Sequence, residues 1–95
     1  MKLVAMFKQP EDPDAFEAAY FETHMPLMEK VPGLLDYEIT RFSRSIMGED
    51  LYLMNVMTFS DGDSRRNAMR SPEMGAAGDN LNSFAADLVT LLFAE

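Results

Sequence analysis

Between Lys2 and Lys8 the chain is apolar at every position from Leu3 to Phe7, which predicts a short strand covered on both faces. A turn over Gln9–Asp14 follows, with Asp12 placed as an N-cap and Pro13 as the first helical residue. Beyond it Phe16, Tyr20, His24, Leu27 and Val31 share one stripe at about 100° per residue, with Phe21 and Met28 on its flank and Ala18, Glu22 and Glu29 opposite. This amphipathic helix should end near Lys30, because Pro32-Gly33 cannot continue it. From Leu34 to Arg44 the pattern alternates, with Leu35, Tyr37, Ile39 and Arg41 set against Asp36, Glu38 and Thr40, as in an edge strand with one wet face. After a turn at Ser45–Asp50, Leu51–Phe59 is apolar on both faces except for Asn55 and Thr58, the mark of a second central strand. Asp61 and Asp63 head a second helical region in which Arg65, Arg66 and Arg70 come later, matching the helix dipole. Ser71-Pro72-Glu73 restarts a helix that Gly75 and Gly78 are expected to keep short, and a last strand runs from Leu88 to Ala94.

The order β-α-β-β-α-β, with right-handed crossovers, predicts an α+β fold: a ferredoxin-like sandwich whose four-stranded antiparallel sheet carries both helices on one face. In that topology the first and third strands are central and the second is at an edge, the same positions that the hydrophobic patterns assign. Helices on one side leave the other face of the apolar strands bare. Two copies stacking these faces about 10 Å apart would bury both, so a homodimer through the open sheet face is expected.

Composition narrows the picture. The chain has 95 residues, 47% of them hydrophobic, enough for a single domain spanning residues 1–95. With no Cys and one His, neither a disulfide nor the usual nitrogen and sulfur zinc cage can be built. Eight Lys and Arg against 16 Asp and Glu give a net charge of −8, which disfavours nucleic acid and anionic membrane surfaces as partners. No window approaches the roughly 18 apolar residues of a membrane span, and Leu3–Phe7 is too short for a signal-peptide core. A soluble, cytoplasmic protein is expected. A Gly-rich phosphate loop, a motif-placed carboxylate pair and a Ser nucleophile elbow are all missing, and no cofactor is expected.

The candidate chemistry centres on His24, which the apolar stripe places on the inward face of the first helix and whose side chain has an unperturbed titration near neutrality. It can act as a base or hydrogen-bond donor in a pocket; the same spacing also fits a core histidine donating to a backbone carbonyl. Pro26, two residues on, either frees the carbonyl of Glu22 or breaks the helix near Met25. Tyr20, one turn earlier, can orient the ring or donate to a bound oxygen. Tyr37, Arg41 and Asn55 are polar groups on otherwise apolar strand faces, and Asn55 must either bond to neighbouring main chain or read a ligand. Nine Met residues, Met25 and Met28 among them beside His24, suit an adaptable apolar cavity and equally a small core. The expected site comprises His24 and Tyr20 as catalytic groups, with Tyr37, Asn55 and Met28 as ligand contacts.

The block Tyr20-Phe21-Glu22-Thr23-His24-Met25-Pro26-Leu27, then Val31-Pro32-Gly33-Leu34 with Tyr37-Glu38, and the closing Gly78-Asp79-Asn80-Leu81-Asn82-Ser83-Phe84-Ala85 resemble the EthD family of the dimeric α+β barrel superfamily. That resemblance implies a ferredoxin-like subunit and a sheet-packed dimeric barrel. It also implies a link to ether degradation or to aromatic, polyketide-type metabolism, with cofactor-free monooxygenases and lactone isomerases among superfamily cousins. His24 stands at the family's signature histidine. Three functions follow as expectations: a dimer binding a small apolar organic metabolite beside His24; a cofactor-independent oxidoreductase, dehydratase or isomerase using His24; or a structural or accessory dimer with no activity.

Overall fold

In the computed structural model, which describes residues 1–95, strand β1 (Lys2–Lys8) lies inside a four-stranded antiparallel sheet of order β2-β3-β1-β4. Its neighbours are β3 (Leu51–Thr58) and β4 (Val89–Ala94), with β2 (Asp36–Arg41) on the outer edge of β3. The central places of β1 and β3 and the edge place of β2 are those that the hydrophobic patterns predict. Strand β2 is shorter than the alternation implied, beginning at Asp36 and ending at Arg41. At its start Asp36 faces Thr58, the last residue of β3, and past Arg41 the Phe42 N–H still donates to the Tyr52 carbonyl at 3.0 Å.

Side chains of Leu3, Ala5 and Phe7 pair across to Met57, Asn55 and Leu53, and all six are buried beneath the helices. The opposite face carries Val4 against Val56 and Leu92, and Met6 against Met54 and Thr90. None of these reaches full burial, and Leu92 is 45% exposed. On β4 the helical layer stops short. Leu91 and Phe93 share the face of Ala5 and Leu3 yet stay 51% and 61% exposed. The Arg65 guanidinium lies over Phe93, 4.3 Å from its ring centroid, while donating to the carbonyls of Lys2 and Ala94.

The first helical rod has three parts: α1 (Pro13–Glu17), a π-helical stretch (Ala18–His24) and α2 (Met25–Met28). Asp12 caps it by accepting from the Ala15 N–H at 3.1 Å, with Pro13 just inside, as expected. The rod runs through Pro26 instead of breaking. The widened turn ahead of the proline, closed by Met25 N–H to the Tyr20 carbonyl, accommodates a residue that lacks an N–H and whose ring would crowd the carbonyl of Glu22. Helix α3 (Gly62–Met69) is capped by Asp61 and α4 (Pro72–Ala85) by Ser71. Gly75 and Gly78 do not shorten α4, which runs 14 residues. A glycine costs about 1 kcal/mol in a helix, and burial of Ala77, Leu81 and Ala85 along one face offsets that cost.

Candidate functional site

The π-helical stretch places Tyr20 and His24 on one line facing inward. A repeat longer than that of an α-helix sets the two rings nearly parallel, 30° apart with centroids at 5.3 Å. Around them stand Phe7 edge-on to Tyr20 at 5.1 Å, Phe16 stacked on Tyr20 at 5.6 Å, and Phe84 of α4 edge-on to His24 at 6.3 Å. Both rings are almost sealed, Tyr20 at 1% and His24 at 5% exposure.

Their polar ends differ. The Tyr20 hydroxyl reaches the sheet, where it accepts from Asn55 Nδ2 at 2.9 Å; the same amide lies 3.5 Å from Met25 Sδ, and Asn55 Oδ1 has no partner. Burial, reinforced by nearby Tyr37 and only partly opposed by the Asn55 hydrogen bond, pushes the Tyr20 pKa up to about 12, so the phenol stays protonated. His24 instead faces α4. Burial holds its pKa below the ordinary 6.5, against the opposing pull of Asn80 and the Ala77 carbonyl, and the ring is neutral at pH 7. Although both groups lie beside the ring, neither closes a hydrogen bond of good geometry. His24 Nδ1 and Asn80 Oδ1 are each buried without a partner.

Of the residues expected at the site, Tyr20, His24 and Asn55 come together through these contacts. Tyr37 stands half-buried on β2, opposite Met57, and Met28 is a buried core residue on α2. Arg41 lies elsewhere: it donates to Glu17 at 2.8 Å and sits 4.9 Å over Phe21. Tyr52, beside a slip in the β1–β3 pairing, donates to the other oxygen of Glu17, and these bonds hold the Glu17 carboxyl below its usual range. This cluster ties the first rod to the end of the sheet. No group of three or more metal-ligating side chains is present.

A hollow of about 530 Å³ opens between the start of the first rod and the end of α4. Phe16, Phe84, Ala15, Pro10 and Leu88 form its apolar wall, and Glu11, Asp12 and Asp87 are among its polar residues. His24 does not line it. Phe84 is common to both, lining the hollow and packing on His24. Asn80 and Phe84, one turn apart on α4, were not among the expected site residues. Their segment reads as a polar helix surface, and only the i, i+4 spacing of Asn80 and Phe84 hints at a shared face.

The EthD domain profile matches residues 8–87. An ethyl tert-butyl ether d (EthD) family protein from Bacillus halodurans superimposes with a TM-score of 0.93 at 46% identity, covering 99% of this chain and 95% of that one. An uncharacterized 11.0 kDa protein from the thcB-thcC intergenic region of Rhodococcus erythropolis is 26% identical, over 99% of this chain and 92% of its own. More distant structures share the fold. A dimeric ferredoxin-like protein of unknown function from Thermobifida fusca matches at 18% identity and a TM-score of 0.66, over 98% of this chain and 89% of its own. A mutant of SnoaB, a cofactor-independent oxygenase from Streptomyces nogalater, matches at 18% identity and a TM-score of 0.64, over 99% and 91%. No helix is long and apolar enough to cross a membrane.

Proposed function

This chain belongs to the EthD family, and from that membership and the site's geometry we propose that it binds a small, neutral, largely apolar organic molecule beside His24. The observation that carries the reading is a neutral imidazole on a π-helical turn, packed on Phe84, which also lines a hollow with one apolar wall. Rotation of Phe84 joins the two. Glu11, Asp12 and Asp87 at the hollow, in a chain of net charge −8, disfavour anionic ligands. Tyr20, Tyr37, Asn55 and Met28 complete the surroundings of the bound molecule. The test is calorimetry with 1-naphthol as a neutral aromatic probe. Wild type should bind it, and His24→Ala should weaken the affinity at least about tenfold, the scale of one lost buried hydrogen bond. Equal affinities would contradict the reading.

A second reading makes His24 a general base in cofactor-independent chemistry of the kind named for SnoaB. Its support is the depressed pKa, which leaves the imidazole free to accept a proton at neutral pH. Turnover unchanged in His24→Ala would eliminate it.

The working unit is a homodimer closed through the open sheet face. Val4, Met6, Met54, Val56 and Leu92 make a continuous apolar surface there, and a second copy supplies a self-complementary cover. Sedimentation should give twice the 10.7 kDa chain mass, and Val56→Asp should give the monomer. We propose a cytoplasmic location for it.

A further inference from the structure

Buried polar atoms without partners are rare in folded proteins, and each calls for an account. Two of those in this chain lie at the contact between the first rod and α4: the ring nitrogen Nδ1 of His24 and the amide oxygen Oδ1 of Asn80, whose side chain lies beside the ring together with the Ala77 carbonyl. Their chemistry is complementary, since a neutral imidazole can donate from Nδ1 and an amide oxygen only accepts. Asn80 is one turn from Phe84, and Phe84 packs on the same ring, so the α4 face seen by His24 carries Phe84 as an apolar clamp and Asn80 as its polar side chain, next to the Ala77 carbonyl. The Asn side-chain amide turns about a broad, soft torsion. Closing the bond therefore asks for little.

We propose that Asn80 is the positioning residue of the site: its Oδ1 accepts from His24 Nδ1–H, fixes the ring in that tautomer and leaves the Nε2 lone pair as the group that meets the ligand. A protein that holds one imidazole nitrogen by a hydrogen bond decides what the other can do. Here the free nitrogen accepts. This rests on the reading of His24 as the ligand's polar contact, and it sharpens the ligand class. A molecule that brings an O–H or N–H donor, such as a phenol or enol, is matched to the site, whereas its methyl ether is not.

The test needs no ligand, so it can fail while ligand binding stands. The chain has one histidine, and nitrogen-15 spectra of the neutral ring report its tautomer without ambiguity. Wild type should show Nδ1 protonated and Nε2 bare. Asn80→Leu, close in size, should shift the ring toward the Nε2–H form that an unconstrained side chain prefers, and Asn80→Asp, which keeps an acceptor oxygen, should retain Nδ1–H. An Nε2–H ring in wild type, or a tautomer unmoved by Asn80→Leu, would overturn the proposal. Should Asn80→Leu fail to fold, Asn80→Ala, which removes the amide oxygen without adding bulk, makes the same comparison and separates Asn80 from the Ala77 carbonyl.

Discussion

Tyr20 and His24 lie one turn apart on the same rod, ring against ring and almost fully buried, yet their polar ends meet the protein differently. The Tyr20 hydroxyl is held by Asn55 in the sheet. The His24 ring lies beside α4 with a buried nitrogen that no side chain satisfies in full. The first arrangement stabilises the fold; the second leaves hydrogen-bonding capacity unspent at the one side chain whose charge changes near neutrality. Sites that bind or react commonly retain such costs, and their replacement then harms function more than stability.

That contrast can be broken most severely at Tyr20. Tyr20→Ala removes a ring packed among Phe7, Phe16, Phe21 and His24 and should cost about 3 to 5 kcal/mol in denaturant unfolding. His24→Leu should lose naphthol binding by at least about tenfold while costing less than about 1 kcal/mol of stability, because the desolvation cost of the ring disappears with its contacts. A loss of stability as large as that of Tyr20→Ala would make His24 an ordinary core residue. Tyr20→Phe deletes only the oxygen that Asn55 donates to and should cost about 1 kcal/mol, with ligand affinity changing less than in His24→Leu.

The smallest effect is the dependence of stability on pH. The folded-state pKa of His24 lies below its ordinary 6.5, so between those two values the unfolded chain binds more protons than the folded one. Stability should therefore fall as pH drops from about 6.5 toward the folded-state value and level off below it. His24→Leu should lack that increment. Glu17, whose carboxyl is held below 4.5, contributes stability that is lost as the pH falls through its folded-state value, in a separate and more acidic window.

Much of this architecture could be read from spacing alone. Continuous apolar runs at Leu3–Phe7 and Leu51–Phe59 marked the central strands, alternation marked β2 as an edge, and Asp12-Pro13 marked where the first rod begins. These signals are legible because burial and capping act on neighbours in sequence. The π-helical stretch was not, since an apolar stripe is read at the α-helical period, and Pro26 offers a break, a kink or a widened turn with equal force. Helix α4 outran its glycines because packing outweighs propensity. Asn80 and Phe84 stand in the family-like segment Gly78–Ala85, but their place beside His24 is set by the approach of the first rod, a tertiary contact that polar spacing on α4 does not encode. Leu91 and Phe93 lie on the helix-facing side of β4 yet stay exposed, and how far the helical layer extends is not written in the strand's own pattern.

The most direct measurement is an NMR pH titration of the single histidine, with and without 1-naphthol. The account predicts a midpoint below 6.5 in the free protein and a His24 signal that shifts on adding the probe at neutral pH. An ordinary midpoint, with a signal indifferent to naphthol, would contradict it.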